Sequence, residues 1–294
     1  MLPTFQLQKI IDRALEEDLG PGDLSGRILP KSLEGQAELY AKATGVVAGI
    51  EIAAQVFKRV DPQISTGILI TDGTKVVPGT LVMQLRGPLA SIFAAERTAL
   101  NFLQHLSGIA TATREAVEQV EGLPAKITDT RKTLGGWRAL QKYAVRVGGG
   151  YNHRFGLYDA VMLKDNHLAA MGGLTAAVET AYKQLGHMVK LEVECESIAQ
   201  VQEALACKVE VIMLDNMTIE QMRQAVSLVG HRAIVEASGG MNISRLRKVA
   251  ETGVDVISIG ALTHSVKALD FSLDVGEMKY TTRKRLESGE NDGP

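Results

Sequence analysis

The sequence predicts an α/β protein whose second half winds into an incomplete parallel α/β barrel of about six strands. Three observations predict it. After residue 122, apolar runs that close on polar residues recur: AKITDTRK, DAVMLKDNH, VKLEVECES, VEVIMLDNM, RAIVEASGG and VDVISIGALT. Helix-like segments such as IAQVQEALA and ISRLRKVAETG fill the gaps, and strand–helix–strand units of this length call for parallel strands with right-handed crossovers. No GxGxxG fingerprint opens any unit, which favours a barrel over an open doubly wound sheet.

The first half reads differently. Leu7, Ile10, Ile11, Ala14 and Leu15 give residues 6–18 a helical period, which GPGD at 20–23 ends. QAELYAKATGVVAG and GTLVMQLRG read as strands with glycine-containing turns, and GIEIAAQVFKRV between them as a helix. A long helix follows from about Pro88 to Glu118, with Pro88 in its first turn and Ile92, Phe93, Leu100, Leu103 and Ile109 as its buried stripe.

Composition bounds the function. A chain of 294 residues makes one large or two ordinary domains, and 45% hydrophobic with 22% charged residues suits a soluble globular protein. The net charge of −2 argues against a nucleic-acid or membrane-surface binder. Cys195 and Cys207 form no disulfide framework. No apolar run approaches the roughly 18 residues of a membrane span, and the N-terminal stretch lacks the apolar core of a signal peptide. The expectation is a cytoplasmic protein with neither nucleic acid nor membrane as partner.

Parallel barrels carry their chemistry at the C-terminal ends of their strands. Arg131, Lys132, Lys164, Glu194, Asp215, Ser238 and Gly260 are therefore candidates as a set. Seven Lys or Arg residues and one acid, Asp159, lie between Arg131 and Lys164. Arg138, Lys142 and Arg146 fall at i, i+4 and i+8 and read as a solvated helix face. Arg131, Lys132, Arg154 and Lys164 stand at strand ends or beside the glycine run 148–150, and four cations at one barrel mouth imply a polyanionic ligand.

Glu194 and Asp215 can share a hard cation such as Mg²⁺, or they can cap helices and balance the cations. Glu192 points to the same face as Glu194 but deeper, and is an alternative partner. Glu236 continues the 21-residue recurrence of Glu194 and Asp215, with no role assigned. SGG at 238–240 and IGALTHS at 259–265 expose backbone N–H groups where late barrel strands hold phosphate, or simply start helices. His153 binds a carboxylate or donates a neutral hydrogen bond, and no triad or zinc spacing surrounds it. Cys195 points away from Glu194 and reads as a packing residue.

AAERTALNFLQHLSGIAT (94–111), DTRKTLGGWRALQKYAVRVGGGYNHRFGLYDAVMLKDNH (129–167), EVEC (192–195), LDN (214–216), EASGG (236–240) and IGALTHS resemble the decarboxylating quinolinate phosphoribosyltransferase family. The resemblance runs in unbroken order from about residue 14 through Ser265; Gly135 stands where proline often follows TRKTL in the family. It implies transfer of phosphoribosyl from phosphoribosyl pyrophosphate (PRPP) to quinolinate with loss of CO₂, giving nicotinate mononucleotide for NAD biosynthesis. By the same resemblance Thr130, Arg131, His153, Arg154 and Lys164 bind the quinolinate end, with Lys132 near the pyrophosphate. Glu194 and Asp215 hold Mg²⁺ or the ribose hydroxyls, and Ser238, Gly239, Gly240, Gly260, Ala261 and His264 form the 5′-phosphate end. Lys132, Lys164, Glu194 and Asp215 are the residues assigned to catalysis.

Arg97 would reach the partner subunit's site, so a homodimer or higher homo-oligomer is implied. The domains expected are an N-terminal α/β sandwich over 1–112 with 267–280 returning to it, the barrel over 113–266, and a polar tail over 281–294. Other readings stand beside this one. Nicotinate phosphoribosyltransferase and relatives associated with molybdenum transport share the phosphate end but not the second carboxylate grip. A Schiff-base aldolase using Lys164 and a non-catalytic anion scaffold are the remaining alternatives.

Overall fold

The computed structural model describes residues 4–30 and 32–275. Among the described residues, those up to Ala112, Gly135–Gly148 and those from Val266 form one compact unit, and Thr113–Leu134 with Gly149–Ser265 form a second. The tail expected at 281–294 and the end of the returning segment, 276–280, lie outside the described residues.

The first unit begins with α1 (Thr4–Leu19), whose Leu7, Ile11 and Leu15 are buried at helical spacing. A short 3₁₀ turn (Gly26–Ile28) leads into β1 (Glu34–Ala41), β2 (Gly45–Val46), α2 (Ile50–Val60), β3 (Ser65–Ile68), β4 (Lys75–Val76) and β5 (Leu81–Pro88). α3 (Leu89–Gln119) follows at once, so Pro88 closes a strand immediately before the helix instead of sitting in its first turn. The stripe on α3 forms from Ile92, Leu100, Leu103 and Ile109, all buried, but Phe93 is exposed. Phe93 follows Ile92 at a 100° step, which carries its ring off the buried face.

β12 (Phe271–Val275) completes an antiparallel sheet of order β12-β1-β5-β3, while β2 and β4 pair separately. The sequence did not announce β3, β4 or β12. A two-residue strand carries no periodicity, and β3 contains a glycine that weakens its pattern.

The second unit holds β6 (Lys126–Thr128), and the chain then returns to the first unit for α4 (Arg138–Val147). There Trp137 stacks on Phe102 of α3 at 4.6 Å. Lys142 on α4 is only 2% exposed, so the expected solvated face is not what forms. Arg146 is exposed and Arg138 half-buried, whereas Lys142 turns into the core of that unit. Helical spacing gives a stripe but not what the unit lays over it.

After Gly149, which adopts φ +98° and so needs glycine, the second unit resumes. β7 (Val161–Leu163), α5 (Asp165–Ala170), α6 (Leu174–Gln184), β8 (Leu191–Cys195), α7 (Ile198–Ala206), β9 (Val211–Asp215), α8 (Ile219–Val229), β10 (Ile234–Ser238), α9 (Ile243–Ala250), β11 (Val256–Ser258) and α10 (Ala261–His264) follow. The six strands pair in parallel in the order β6-β11-β10-β9-β8-β7, leaving β6 and β7 as edges of an open barrel. Tyr151 adds one parallel bridge to Thr128 beside β6. Side-chain caps set the crossover helices: Ser197 accepts Gln200 N–H, Thr218 accepts Gln221 N–H and Asn242 accepts Arg245 N–H.

α2 has no side-chain cap of its own, because its N-cap is Gly49. Asp72 substitutes from a distance, accepting the Gly49 N–H at 2.8 Å, the Ile50 N–H at 3.0 Å and the Tyr143 hydroxyl at 2.6 Å. Burial and the Asp72 bond push the Tyr143 pKa up. Asp72→Ala should therefore lower the stability of the chain by about 1–2 kcal/mol, read as a lower denaturant midpoint at unchanged slope.

Candidate active site

Parallel pairing decides which side chains share the barrel interior. Glu194 on β8 is in register with Met213 on β9, and Met213 with Glu236 on β10. Asp215 pairs with Ser238 one inward rung nearer the C-terminal ends. Equal sequence spacing of Glu194, Asp215 and Glu236 thus does not mean equal height, since it counts loops and helices as well as strands. Glu192 lies two residues below Glu194 on the same face and is buried.

A cavity of about 610 Å³ opens among these strand ends. Thr130, Arg131 and Lys132 line it beyond β6, His153 and Arg154 beside the glycines, and Lys164 beyond β7. Glu194, Asp215, Ser238, Gly239 and Gly240 complete the expected members, and Met162, Met213, Asn216, Glu236 and Ser258 join them. Arg97 is exposed on α3 and, like Gly260, Ala261 and His264, is not among the lining residues.

Gly260 and His264 instead support Lys132. A Cβ at Gly260 would stand 2.9 Å from Lys132 Cδ and 3.2 Å from the His264 ring. Thr263 Oγ1 donates to the Lys132 carbonyl at 2.7 Å, and Thr130 Oγ1 accepts the Lys132 N–H at 3.0 Å.

The charges are arranged in three groups. Lys164 Nζ is ion-paired with Glu194, so one cation and one carboxylate of the cavity neutralise each other. Arg154 donates Nη1–H to the Ala160 carbonyl at 2.9 Å, while its buried Nε has no partner. Burial and the like charge of Arg131 lower the Arg154 pKa. Two guanidinium groups crowded into one cavity favour an anion between them.

His153 Nε2 lies 3.2 Å from Glu192 Oε2 and 3.5 Å from Glu236 Oε2. Burial opposes a charged ring, while the hydrogen bonds and charges of the two carboxylates favour an added proton in the cluster. Nδ1, however, accepts the Arg154 N–H at 2.8 Å, which requires a lone pair there. Burial, reinforced by Glu236, also raises Glu192. The extra proton belongs to the cluster as a whole, and the fixed backbone donor at Nδ1 assigns it to a carboxyl.

Asn216 orients Asp215: it adopts φ +54°, and its Nδ2–H donates to Asp215 Oδ2 at 2.7 Å. Gly239, at φ +86°, makes room for it, since a Cβ there would stand 2.2 Å from Asn216 Oδ1. Asp129, fully buried, accepts the Asn152 side-chain amide at 2.6 Å and the His153 N–H at 2.9 Å. Sequence reasoning passed over both Asp129 and Asn216, though each follows an apolar run as the chosen candidates do. Cys195 is buried and its thiol is pushed up to about 12 by burial, which leaves it an unreactive packing residue at neutral pH.

The fold and site define a parallel-barrel protein built to hold polyanions between cations and carboxylates. Two sequence profiles then fix the family: Quinolinate phosphoribosyl transferase, N-terminal domain, matches residues 23–107, and its C-terminal domain matches 109–274. The chain belongs to the quinolinate phosphoribosyltransferase family. It is 45% identical to a probable nicotinate-nucleotide pyrophosphorylase [carboxylating] of Bacillus subtilis, covering 92% of this chain and 94% of that one. It is 41% identical to quinolinate phosphoribosyltransferase [decarboxylating] 1b of Nicotiana tabacum, over 98% of this chain and 86% of that one. The crystal structure of NadC from Streptococcus pyogenes superposes with a TM-score of 0.90 at 41% identity, covering 94% of this chain and 99% of that one.

Two outcomes test this geometry. Gly239→Ala places a Cβ on Asn216 at a positive φ, so it should cost at least about 1 kcal/mol of stability and disorient Asp215, seen in a crystal structure of the variant. Burial alone would raise Asp159, but its bonds from the Phe155 and Gly156 N–H groups outweigh that and hold it below the usual range. A depressed carboxyl stabilises the fold above the unfolded value of about 3.9 and loses that contribution as pH falls through the folded value. Asp159→Asn should therefore be less stable than wild type at neutral pH, with the two denaturant midpoints converging as pH falls through the folded value.

Proposed function

We propose that the chain transfers phosphoribosyl from PRPP to quinolinate with decarboxylation, forming nicotinate mononucleotide, pyrophosphate and CO₂ in NAD biosynthesis. The observation that carries this reading is the convergence of Arg131, Lys132, Arg154 and Lys164 on one cavity that also holds Glu194 and Asp215. The pyridine nitrogen attacks the anomeric carbon as its bond to pyrophosphate breaks. The C2–carboxylate bond then breaks, the electron pair stays on C2, and C2 takes a proton.

Arg131, Arg154 and Lys164 grip the two quinolinate carboxylates, with Thr130 and His153 beside them, and Lys132 faces the pyrophosphate. Ser238, Gly239 and Gly240 receive the 5′-phosphate, while Gly260 and His264, with Ala261 between them, back Lys132. Lys164 changes partner in this scheme: a substrate carboxylate takes the place of Glu194, which is released toward the ribose. The chain's groups work by position and by charge already in place, without a nucleophilic side chain.

Glu194 and Asp215 also fit Mg²⁺, because two carboxylates in one cavity are the hard oxygen donors it takes alongside water and substrate phosphates. Bound there, Mg²⁺ would neutralise the departing pyrophosphate. The exposed Arg97 on α3 would serve the site of a second copy, making a homodimer or higher homo-oligomer the working form. No helix among the described residues is long and apolar enough to cross a membrane, and the reading places the enzyme in the cytoplasm.

The test is a reaction with purified protein, PRPP and Mg²⁺, offered quinolinate or nicotinate in parallel, with CO₂ and mononucleotide followed. Quinolinate should turn over with stoichiometric CO₂, and Arg154→Ala should lower kcat/KM for it by roughly 10²-fold, the size of a lost charge-assisted pair. Turnover of nicotinate in its place would overturn the substrate assignment.

A further inference from the structure

Backbone pairing leaves the barrel open between β6 and β7, and the segment from Gly149 to Ala160 precedes β7. Its start is anchored to the β6 side by the Tyr151 bridge and by the two bonds to Asp129. From that backbone the His153 ring reaches β8 and β10, where Glu192 and Glu236 receive Nε2. At its other nitrogen the ring accepts the Arg154 N–H. One side chain thus links two separate strands to the backbone of the residue that follows it.

We propose that Glu192 and Glu236 are positioning residues, which act through the His153 ring to fix the Arg154 backbone and aim its guanidinium at a substrate carboxylate. The proposal rests on the quinolinate reading above and departs from the expectation that His153 itself grips the substrate.

Three observations carry it. Glu192 and Glu236 are 6% and 3% exposed, and each leaves Oε1 buried without a partner. A pair kept for stability would be better served by apolar residues of similar size. Their described bonds converge instead on Nε2 from two strands.

A metal is a poor alternative. The ligand atoms of His153, Glu192 and Glu236 do lie within 4.8 Å of one another. Nε2 would have to offer a lone pair while Nδ1 also offers one to the Arg154 N–H, which would make the ring an imidazolate.

Arg154 also needs restraint, because Arg131 repels it and the Ala160 carbonyl holds only Nη1. The repulsion would drive the two guanidinium groups apart, and a fixed backbone at Arg154 opposes that motion.

The experiment compares full-length wild type with Glu236→Ala and Glu236→Gln. Glu236→Ala should raise the quinolinate KM about tenfold or more while the PRPP KM stays within about twofold, the mark of a misaimed grip. Glu236→Gln keeps an acceptor oxygen for Nε2–H and should recover most of the loss. In ligand-free protein, the Arg154 amide should exchange with solvent about tenfold faster in Glu236→Ala than in wild type.

Equal rises in both KM values, a loss in kcat alone, or unchanged Arg154 exchange would overturn the proposal. Should Glu236→Ala not fold, ¹⁵N NMR of histidine-labelled wild type decides. An unprotonated Nδ1 with a protonated Nε2 at His153 is expected, and a protonated Nδ1 at neutral pH would overturn it. Failure of wild type to use quinolinate would overturn the substrate reading alone, since the exchange and NMR results need no turnover.

Discussion

The parallel register of β8, β9 and β10 places the carboxylates, and the other groups of the site are arranged around them. Glu194, Met213 and Glu236 stand at one level and Asp215 with Ser238 at the next, because every second residue of each strand faces inward. A slip of one residue on β8 would send Glu192 and Glu194 outward and bring Val193 and Cys195 in. The crossover-helix N-caps lie just past the cavity-facing strand ends and fix where each helix begins.

That register gathers more charge than a protein interior normally tolerates, and the three groups resolve it differently. Lys164 and Glu194 neutralise each other. Glu192 and Glu236 share His153, and burial beside a second carboxylate raises the Glu192 pKa. Arg131 and Arg154 place like charges in one cavity, and burial together with the charge of Arg131 lowers the Arg154 pKa against the opposing pull of Glu192 and Asp159. In the proposed reaction a dianionic substrate would relieve the last group directly and, by drawing Lys164 away, would free Glu194 for the ribose. The arrangement leaves buried polar atoms without partners at Arg154, Glu192, Glu236 and Ser258.

The open edge of the barrel has a function in this arrangement. A strand in the gap would spend its backbone groups on ladder bonds. After the single Tyr151 bridge, the segment gives N–H groups to Asp129 and to the His153 ring, and so delivers His153 and Arg154 into the cavity. Asp159 then closes the following turn by accepting the Phe155 and Gly156 N–H groups. The glycine run accordingly needs its conformational freedom at Gly149 alone, for Gly148 is an ordinary helix end and Gly150 keeps a negative φ.

Much of this was legible in the chain. The recurring apolar runs with polar ends gave the six parallel strands, and strand parity placed Glu192 beneath Glu194 and turned Cys195 away from it. Periodicity reports local geometry, and these are local facts. It could not report that Lys142 is buried, that Phe93 is exposed, or that Asp72 caps a helix more than twenty residues before it in the chain, since each depends on what distant segments bring near. The sequence by itself determined which residues could face the cavity. Only the tertiary structure decided that His153 spends both ring nitrogens inside the protein, because hydrogen-bond partners are chosen by positions in space, and Glu192, Glu236 and Arg154 meet there only after the barrel forms.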